Sequence, residues 1–478
     1  MSSSEFPVTV FEAIKAYLDQ APTYHVAVEA ILIAWICYLL LFSKRYRPQS
    51  KHDKLSKEEE DELIGEWNPE PLVPDGYPSD REVDPSPIVT GTAGAHITVN
   101  GKECLNLATL NFLGLLENST VKEAAARSIQ KYGVGSCGPR GFYGTVDVHL
   151  ELEKRLAKFT QREETILYSY GFAAVSSCIP AYSKRRDIIF VDEGVAFSIQ
   201  KGLVASRSKL KYFKHNDMAD LHRLLEEQRK LDEKNPAKAK VTRKFMVAEA
   251  LYYNWGDLAP LPKLVEFRNK YRIPLILDES VSFGVLGATG RGATEHFELD
   301  PEDVDIMCVS LDMAVASVGG FCAGKAYVID HQRLSGLGYC FSASVPPMMA
   351  SAAIEGLNIM EGDGSIFTRL RANAKKMREL LFGVSGVEVC GLEACPVIHL
   401  RVTTPTSCQE SDQQLLQTIA DECIASGVAI VTAKYLDEEY QKPPPSLRLT
   451  VSSEHTEAEL TTAAGVIKQA IAKHILAS

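Results

Sequence analysis

The sequence predicts an α/β protein: a large domain on a mostly parallel, helix-covered sheet, a smaller C-terminal α+β domain, and one apolar N-terminal transmembrane helix. Three observations carry this. From about residue 95, short apolar runs alternate with amphipathic stretches. After about residue 362 the order changes to a long helix, paired strands and two further helices. Near the N-terminus an apolar run at 26–42 is followed by a basic flank.

The run VAVEAILIAWICYLLLF holds a single acid, Glu29. With Tyr24 and His25 extending it, it defines a span over 23–43, at the length a bilayer core needs. A secretory signal would need a basic start and a small-residue cleavage site. Instead Lys44, Arg45, Arg47, Lys51 and Lys54 follow, a stop-transfer flank that places the rest of the chain in the cytosol. An in-plane helix and a buried soluble helix are the other readings of this run. Residues 1–22 form an amphipathic segment, with Phe11, Ile14 and Leu18 on one helical face; it either binds a partner or caps the span. Residues 44–94 are charged and proline-rich and read as a linker that begins to dock near Trp67.

In the body of the chain, strands are expected at 164–169, 187–191, 210–213, 244–249, 273–278, 305–310 and 321–329. Helices are expected at 120–132, 147–160, 171–181, 194–206, 217–230, 261–271 and 346–360. This pattern sets a large domain at 95–360. A smaller domain at 361–478 follows from helices at 365–383, 411–426 and 456–474 and strands at 386–390, 396–402 and 446–452.

Composition narrows function. A net charge of -11 gives nucleic-acid binding no electrostatic support. Eleven scattered cysteines without a C-x-x-C pair suit a reducing compartment, and no metal site is expected. The sequon at Asn118 reads as a chance match.

An ordered series of motifs remains: NFLGL (111–115), YGVGSCGPRGFYGTVDVHLELEKRLAKF (132–159), AEALYYNWGDLAPL (248–261), DESVSFGVLGATGRG (278–292), SVGGFCAG (317–324), FSASVPP (341–347), then Arg448 and His455-Thr456. Together they resemble the α-oxoamine synthases, a branch of the fold-type I (aspartate aminotransferase-like) enzymes that use pyridoxal 5′-phosphate (PLP). The resemblance covers residues 95–475, and the added span and the glycine-rich wording point to the long-chain-base branch of that family.

Such chemistry needs a lysine for the Schiff base, a carboxylate at the pyridine nitrogen, a stacking ring and phosphate donors. The family's lysine lies in a segment like TFSKAFGSVGG. Here 310–320 reads SLDMAVASVGG, which puts Met313 at the lysine position, and no lysine lies between 273 and 324. The family's DEAHS becomes DESVS: Asp278 is kept, as a residue that caps a helix or holds a loop or as a residual cofactor contact, and Val281 replaces the histidine. Ala196 stands at the stacking-histidine position. Arg448 matches the family's substrate-carboxylate arginine, with a structural ion pair as the other reading. His149 reads as a packing or capping residue.

The resemblance therefore implies a chain without catalytic residues of its own, paired with a homologous catalytic subunit that holds PLP. That pair would condense L-serine with palmitoyl-CoA into 3-ketodihydrosphingosine at the endoplasmic reticulum membrane. A small activating subunit and Orm-type regulators are the further partners it implies. Ser342, Ala343 and Ser344 would approach the partner's cofactor in trans, and Cys137, Arg140 and Tyr143 would line the shared substrate pocket or interface. Two other readings stand: a membrane scaffold that recruits regulators through 1–43, and an independently active synthase, which would need a different lysine.

Overall fold

The computed structural model describes residues 19, 21–42, 56–67 and 87–476. Of the amphipathic segment expected at 1–22, only residues 19, 21 and 22 lie within these residues. The chain divides into two units, Met1–Pro85 and Ser86–Ser478.

In the first unit, Thr23–Phe42 is one helix of 20 residues. It is about 30 Å long at 1.5 Å per residue, enough to cross a bilayer core. Its large apolar side chains, Ile31, Trp35 and Leu41 among them, are exposed. The stretch expected as linker contains a second helix, Lys57–Glu66. Two signals account for it: Ser56 and Glu59 form a reciprocal capping box, with bonds of 3.2 and 2.8 Å, and three glutamates in the first turn complement the helix dipole.

The second unit is built on a seven-stranded sheet. Its order is Glu164–Tyr168, Gly320–Gly324, Ile306–Ser310, Leu275–Asp278, Lys244–Glu249, Ile188–Asp192, Lys209–Phe213. All neighbours are parallel except Gly320–Gly324, which runs antiparallel to both of its partners. Ile188–Asp192, Ile306–Ser310 and Leu275–Asp278 are buried at every position, as expected of strands covered on both faces. The strand expected at 321–329 stops at Gly324, and Ala326–Ser335 is a helix instead. The Glu163 carboxylate accepts the Ala326 N–H at 2.9 Å and satisfies a free donor in the first turn.

A second apolar core lies in the C-terminal part. Val387–Cys390, Val397–Val402, Ser446–Thr450 and Val431–Thr432 form an antiparallel sheet covered by Ser365–Leu381, Gln409–Ala425 and Glu457–Ile471. Leu105 and Leu107 belong to this core as well. They come from a hairpin, His96–Val99 and Lys102–Asn106, whose second strand pairs in parallel with Val428–Ala429. The chain from residue 95, expected in the large domain, thus enters the fold beside the C-terminal strands. Asn118 caps Ser119–Tyr132 by accepting the N–H groups of Thr120 and Val121, so the sequon asparagine has a structural task.

Between Ser119–Tyr132 and Asp147–Phe159 runs the glycine-rich loop. Gly144 turns back so closely that a Cβ there would lie 1.9 Å from the Gly138 carbonyl. Arg140 is buried beneath the loop and holds both oxygens of Glu153, at 2.9 and 3.0 Å. Glu153 also accepts the N–H of Leu167 at 2.9 Å, which joins loop, helix and sheet through one carboxylate. Removing one member of a buried pair leaves the other charge uncompensated. Glu153→Gln is therefore expected to destabilise the fold by about 3–5 kcal/mol, read as a lower thermal midpoint of the purified chain. Arg140→Met with Glu153→Leu should recover much of the loss.

Candidate functional site

The carboxyl ends of parallel strands are where α/β sheets hold their ligands. Here a cavity of about 300 Å³ opens there, lined among others by Ala196, Asp278, Val281 and Met313. Four positions read separately in the sequence thus border one space. Asp278 ends its strand, is buried, and accepts the Ser280 N–H at 2.8 Å. Burial pushes its carboxyl above the usual range. Ala196 precedes Phe197–Ser206, and its N–H goes to Glu249.

Folding adds residues that sequence reasoning missed. Glu249 ends the neighbouring strand and is buried; burial, then the nearby Asp278 charge, raise its carboxyl to about 8. Asp312, beside Met313, accepts the Ser310 hydroxyl, and it stands where the family segment TFSK has a serine. Ser310 packs against Gly171 at the start of Gly171–Tyr182, where a Cβ would lie 1.8 Å from its Oγ. A helix start attracts an anion, and in this chain a carboxylate is already beside it. The only signal in the sequence was the neighbour of Met313. Lys434 and Tyr435 close the cavity from the C-terminal part. Lys434 is an exposed amine from a different segment, remote in sequence from position 313.

These residues do not fit PLP. Position 313 offers a thioether where an amine is needed, and position 196 offers a methyl where a ring is needed. Asp312 sets negative charge against a phosphate.

A second cavity, about 530 Å³, contains Arg448, Asn111 and Asp312. The ion pair considered for Arg448 is not formed among the described residues. Its guanidinium donates to the Tyr253 hydroxyl and, at 3.5 Å, to the Ala108 carbonyl.

The loop carrying Ala196 is braced by His215, which bonds Asp192 at 2.7 Å and Asp257 at 3.0 Å and stacks on Trp255. Burial opposes the imidazolium, but the two carboxylates outweigh it and raise His215 to about 9.

The remaining candidates gather at another face. Ser344 is buried and stapled to the glycine-rich loop: its N–H donates to Gly138 at 3.0 Å and its hydroxyl to Gly144. Ser342 donates to Gly338 at 2.7 Å, and the Ala343 carbonyl accepts from Ser169. Cys137 and Tyr143 are exposed, with φ of 57° and 63°, a left-handed backbone that ordinary residues enter at a cost. Arg140 is turned inward to Glu153, as described, and its role is to hold this loop. His149 accepts the Val146 N–H at 3.2 Å and its other ring nitrogen lies 2.7 Å from the Val345 carbonyl, so it caps and staples. Around them Val134, Phe142, Tyr143 and Phe341 leave large apolar surface uncovered.

Folding also brings Cys178, Cys308 and Cys322 together, with their sulfurs within 4.8 Å of one another. Burial pushes the Cys178 and Cys322 thiols far up, and the group packs as small apolar side chains in the core.

The sequence matches the family described as Aminotransferase class I and II over residues 102–467. It is 42% identical over 463 residues to "Serine palmitoyltransferase 1" of Dictyostelium discoideum, covering 95% of both chains. It is 40% identical over 455 residues to "Long chain base biosynthesis protein 1" of Arabidopsis thaliana, covering 95% of this chain and 92% of that one. In fold it is similar to a solved serine palmitoyltransferase of Sphingomonas wittichii, with a TM-score of 0.73 at 23% identity over 81% of this chain and 92% of that one.

The charged groups around the cavity set a pH dependence. His215 stabilises the fold fully below its ordinary 6.5, and the contribution is lost as pH rises through about 9. Glu249, held neutral, costs stability progressively between its ordinary 4.5 and about 8. Both act in one direction, so stability should fall between pH 7 and 9, by on the order of 2–3 kcal/mol for the histidine, read as a lower thermal midpoint. His215→Gln should lower the midpoint at pH 7 and flatten the decline.

Proposed function

The chain belongs to the aminotransferase class I and II family, among the proteins named serine palmitoyltransferase 1 and long chain base biosynthesis protein 1, and from that premise we propose that it is the non-catalytic subunit of a serine palmitoyltransferase. Its partner is a homologous subunit that holds PLP. Together they condense L-serine with palmitoyl-CoA to 3-ketodihydrosphingosine, the entry to sphingolipid synthesis. The observation that carries this reading is the cavity wall: Met313, Ala196 and Asp312 replace the amine, the ring and the phosphate-side hydroxyl inside an otherwise complete fold.

In this reading the chain acts through its other face. The glycine-rich loop and the segment 342–345 are fastened to each other by Ser344, Ser136 and His149. The apolar side chains around them, Phe142, Tyr143 and Phe341, supply the contact with the partner. Ser342, Ala343 and Ser344 then stand at the partner's cofactor, and Cys137 and Tyr143 at the shared pocket. The partner's lysine carries the chemistry. The helix Thr23–Phe42 anchors the pair to the endoplasmic reticulum membrane with the main domain cytosolic, beside its acyl substrate and membrane-bound product. A small activating subunit and Orm-type regulators complete the complex.

Two experiments test this. In the co-purified complex, borohydride should fix the pyridoxyl group on a peptide of the partner, and Met313→Leu should leave condensation activity unchanged. A pyridoxyl-labelled peptide from this chain would overturn the reading. Full-length chain should stay with membranes through alkaline carbonate, whereas a chain lacking residues 1–43 should be released; retention of the shortened chain would remove the anchoring role.

A further inference from the structure

At the amino ends of the parallel strands, opposite the cavity around Met313, lies a larger concavity of about 770 Å³. Three separate segments build it. The turn before Ile188–Asp192 brings Arg185 and Arg186. The first residue of Lys209–Phe213 brings Lys209. The end of Met218–Lys234 and the short helix Pro236–Val241 bring Lys234 and Lys238. No single stretch of sequence announces this cluster.

All five cations are exposed, and among the described residues none of their side chains has a carboxylate or hydrogen-bond partner. That contrasts with the neighbouring surface, where Arg223, Arg229, Arg243 and Lys244 are each held by an acid. Among the described residues lining the concavity Asp232 is the one acid, and it is taken by Lys244 at 2.7 Å. Five uncompensated positive charges therefore converge on one recess of a chain whose net charge is -11. Like charges held together without counter-charges repel, and concave low-dielectric walls focus their field on an incoming anion.

The recess is not only basic. Leu231 and Val241 line it and are exposed, at 52% and 75%, above a floor that includes the buried Ile188. Adjacent arginines suit bidentate phosphate recognition, lysines add point charges, and the apolar rim suits an alkyl portion. We propose that this concavity is a binding site for a multiply charged phosphate ligand, remote from the cavity around Met313. The ligand is either a soluble phosphate ester or the phosphorylated headgroup of an anionic lipid. The proposal does not rest on the subunit assignment above, since it uses no residue of that site.

The test uses the full-length chain, purified in detergent and titrated by calorimetry with three probes: inorganic pyrophosphate, dioctanoyl phosphatidylinositol 4-phosphate, and dioctanoyl phosphatidylcholine as the zwitterionic control. Binding of both anionic probes identifies a phosphate site open to soluble esters. Binding of the phosphoinositide alone identifies a lipid headgroup site. In either case Arg186→Glu with Lys238→Glu should weaken binding by more than ~10-fold, about 1.4 kcal/mol. The thermal midpoint should hold or rise, because both side chains are exposed and unpaired and the reversal relieves repulsion within the cluster. Failure of both anionic probes to bind at millimolar concentration, or binding that survives the charge reversal, would overturn the proposal.

Discussion

One buried carboxylate organises the face that carries the glycine-rich loop. Glu153 points from Asp147–Phe159 into the interior, where water cannot solvate it. It holds Arg140 with both oxygens and the backbone of Leu167 with one. An isolated buried charge of this kind is costly, so each group must stay in place to keep the others satisfied. The glycine-rich loop is therefore fixed to the edge strand of the sheet, although its sequence alone would leave it free. The fixed loop in turn receives Ser344 and, through His149, Val345. Exposed aromatic residues beside them, Phe142, Tyr143 and Phe341, are presented on a rigid base, so little chain entropy remains to be lost there.

The opposite economy is seen at the strand ends. There Glu249, Asp278 and Asp312 gather around a cavity that offers no amine at position 313. Such a group of acids in a recess would normally call for a cation or a proton. In this protein burial supplies the answer for Glu249, which keeps its proton up to about 8. The architecture around them is kept by other means: His215, clamped between Asp192 and Asp257, holds the loop at Ala196.

The sequence made much of the large sheet legible, because its strands are continuous apolar runs bounded by turns. Elements whose reason lies elsewhere were not. The hairpin at 96–106 is short, and the strand it pairs with begins at Val428. Ala326–Ser335 resembles a continued strand until Glu163 is seen capping it. Lys57–Glu66 looked like linker because no residue of it is buried, and only its capping box gives it away. At the site, Met313, Ala196 and Val281 were found because each interrupts a motif. Asp312 was hidden beside the more conspicuous change at Met313, and Glu249 and Lys434 interrupt no motif; only the fold brings the three to one cavity.

The pairing of Lys102–Asn106 with Val428–Ala429 has a consequence during synthesis. Lys102 reaches the carbonyl of Ala425 across 323 residues. A ribosome adding 5–20 residues per second needs on the order of 15–65 s to make that interval. Throughout that time the hairpin has emerged but its parallel neighbour does not yet exist, and Leu105 and Leu107 have no core to enter. Its edge is a template for pairing with other chains, so the nascent protein is open to misassembly until the strand at Val428–Ala429 arrives.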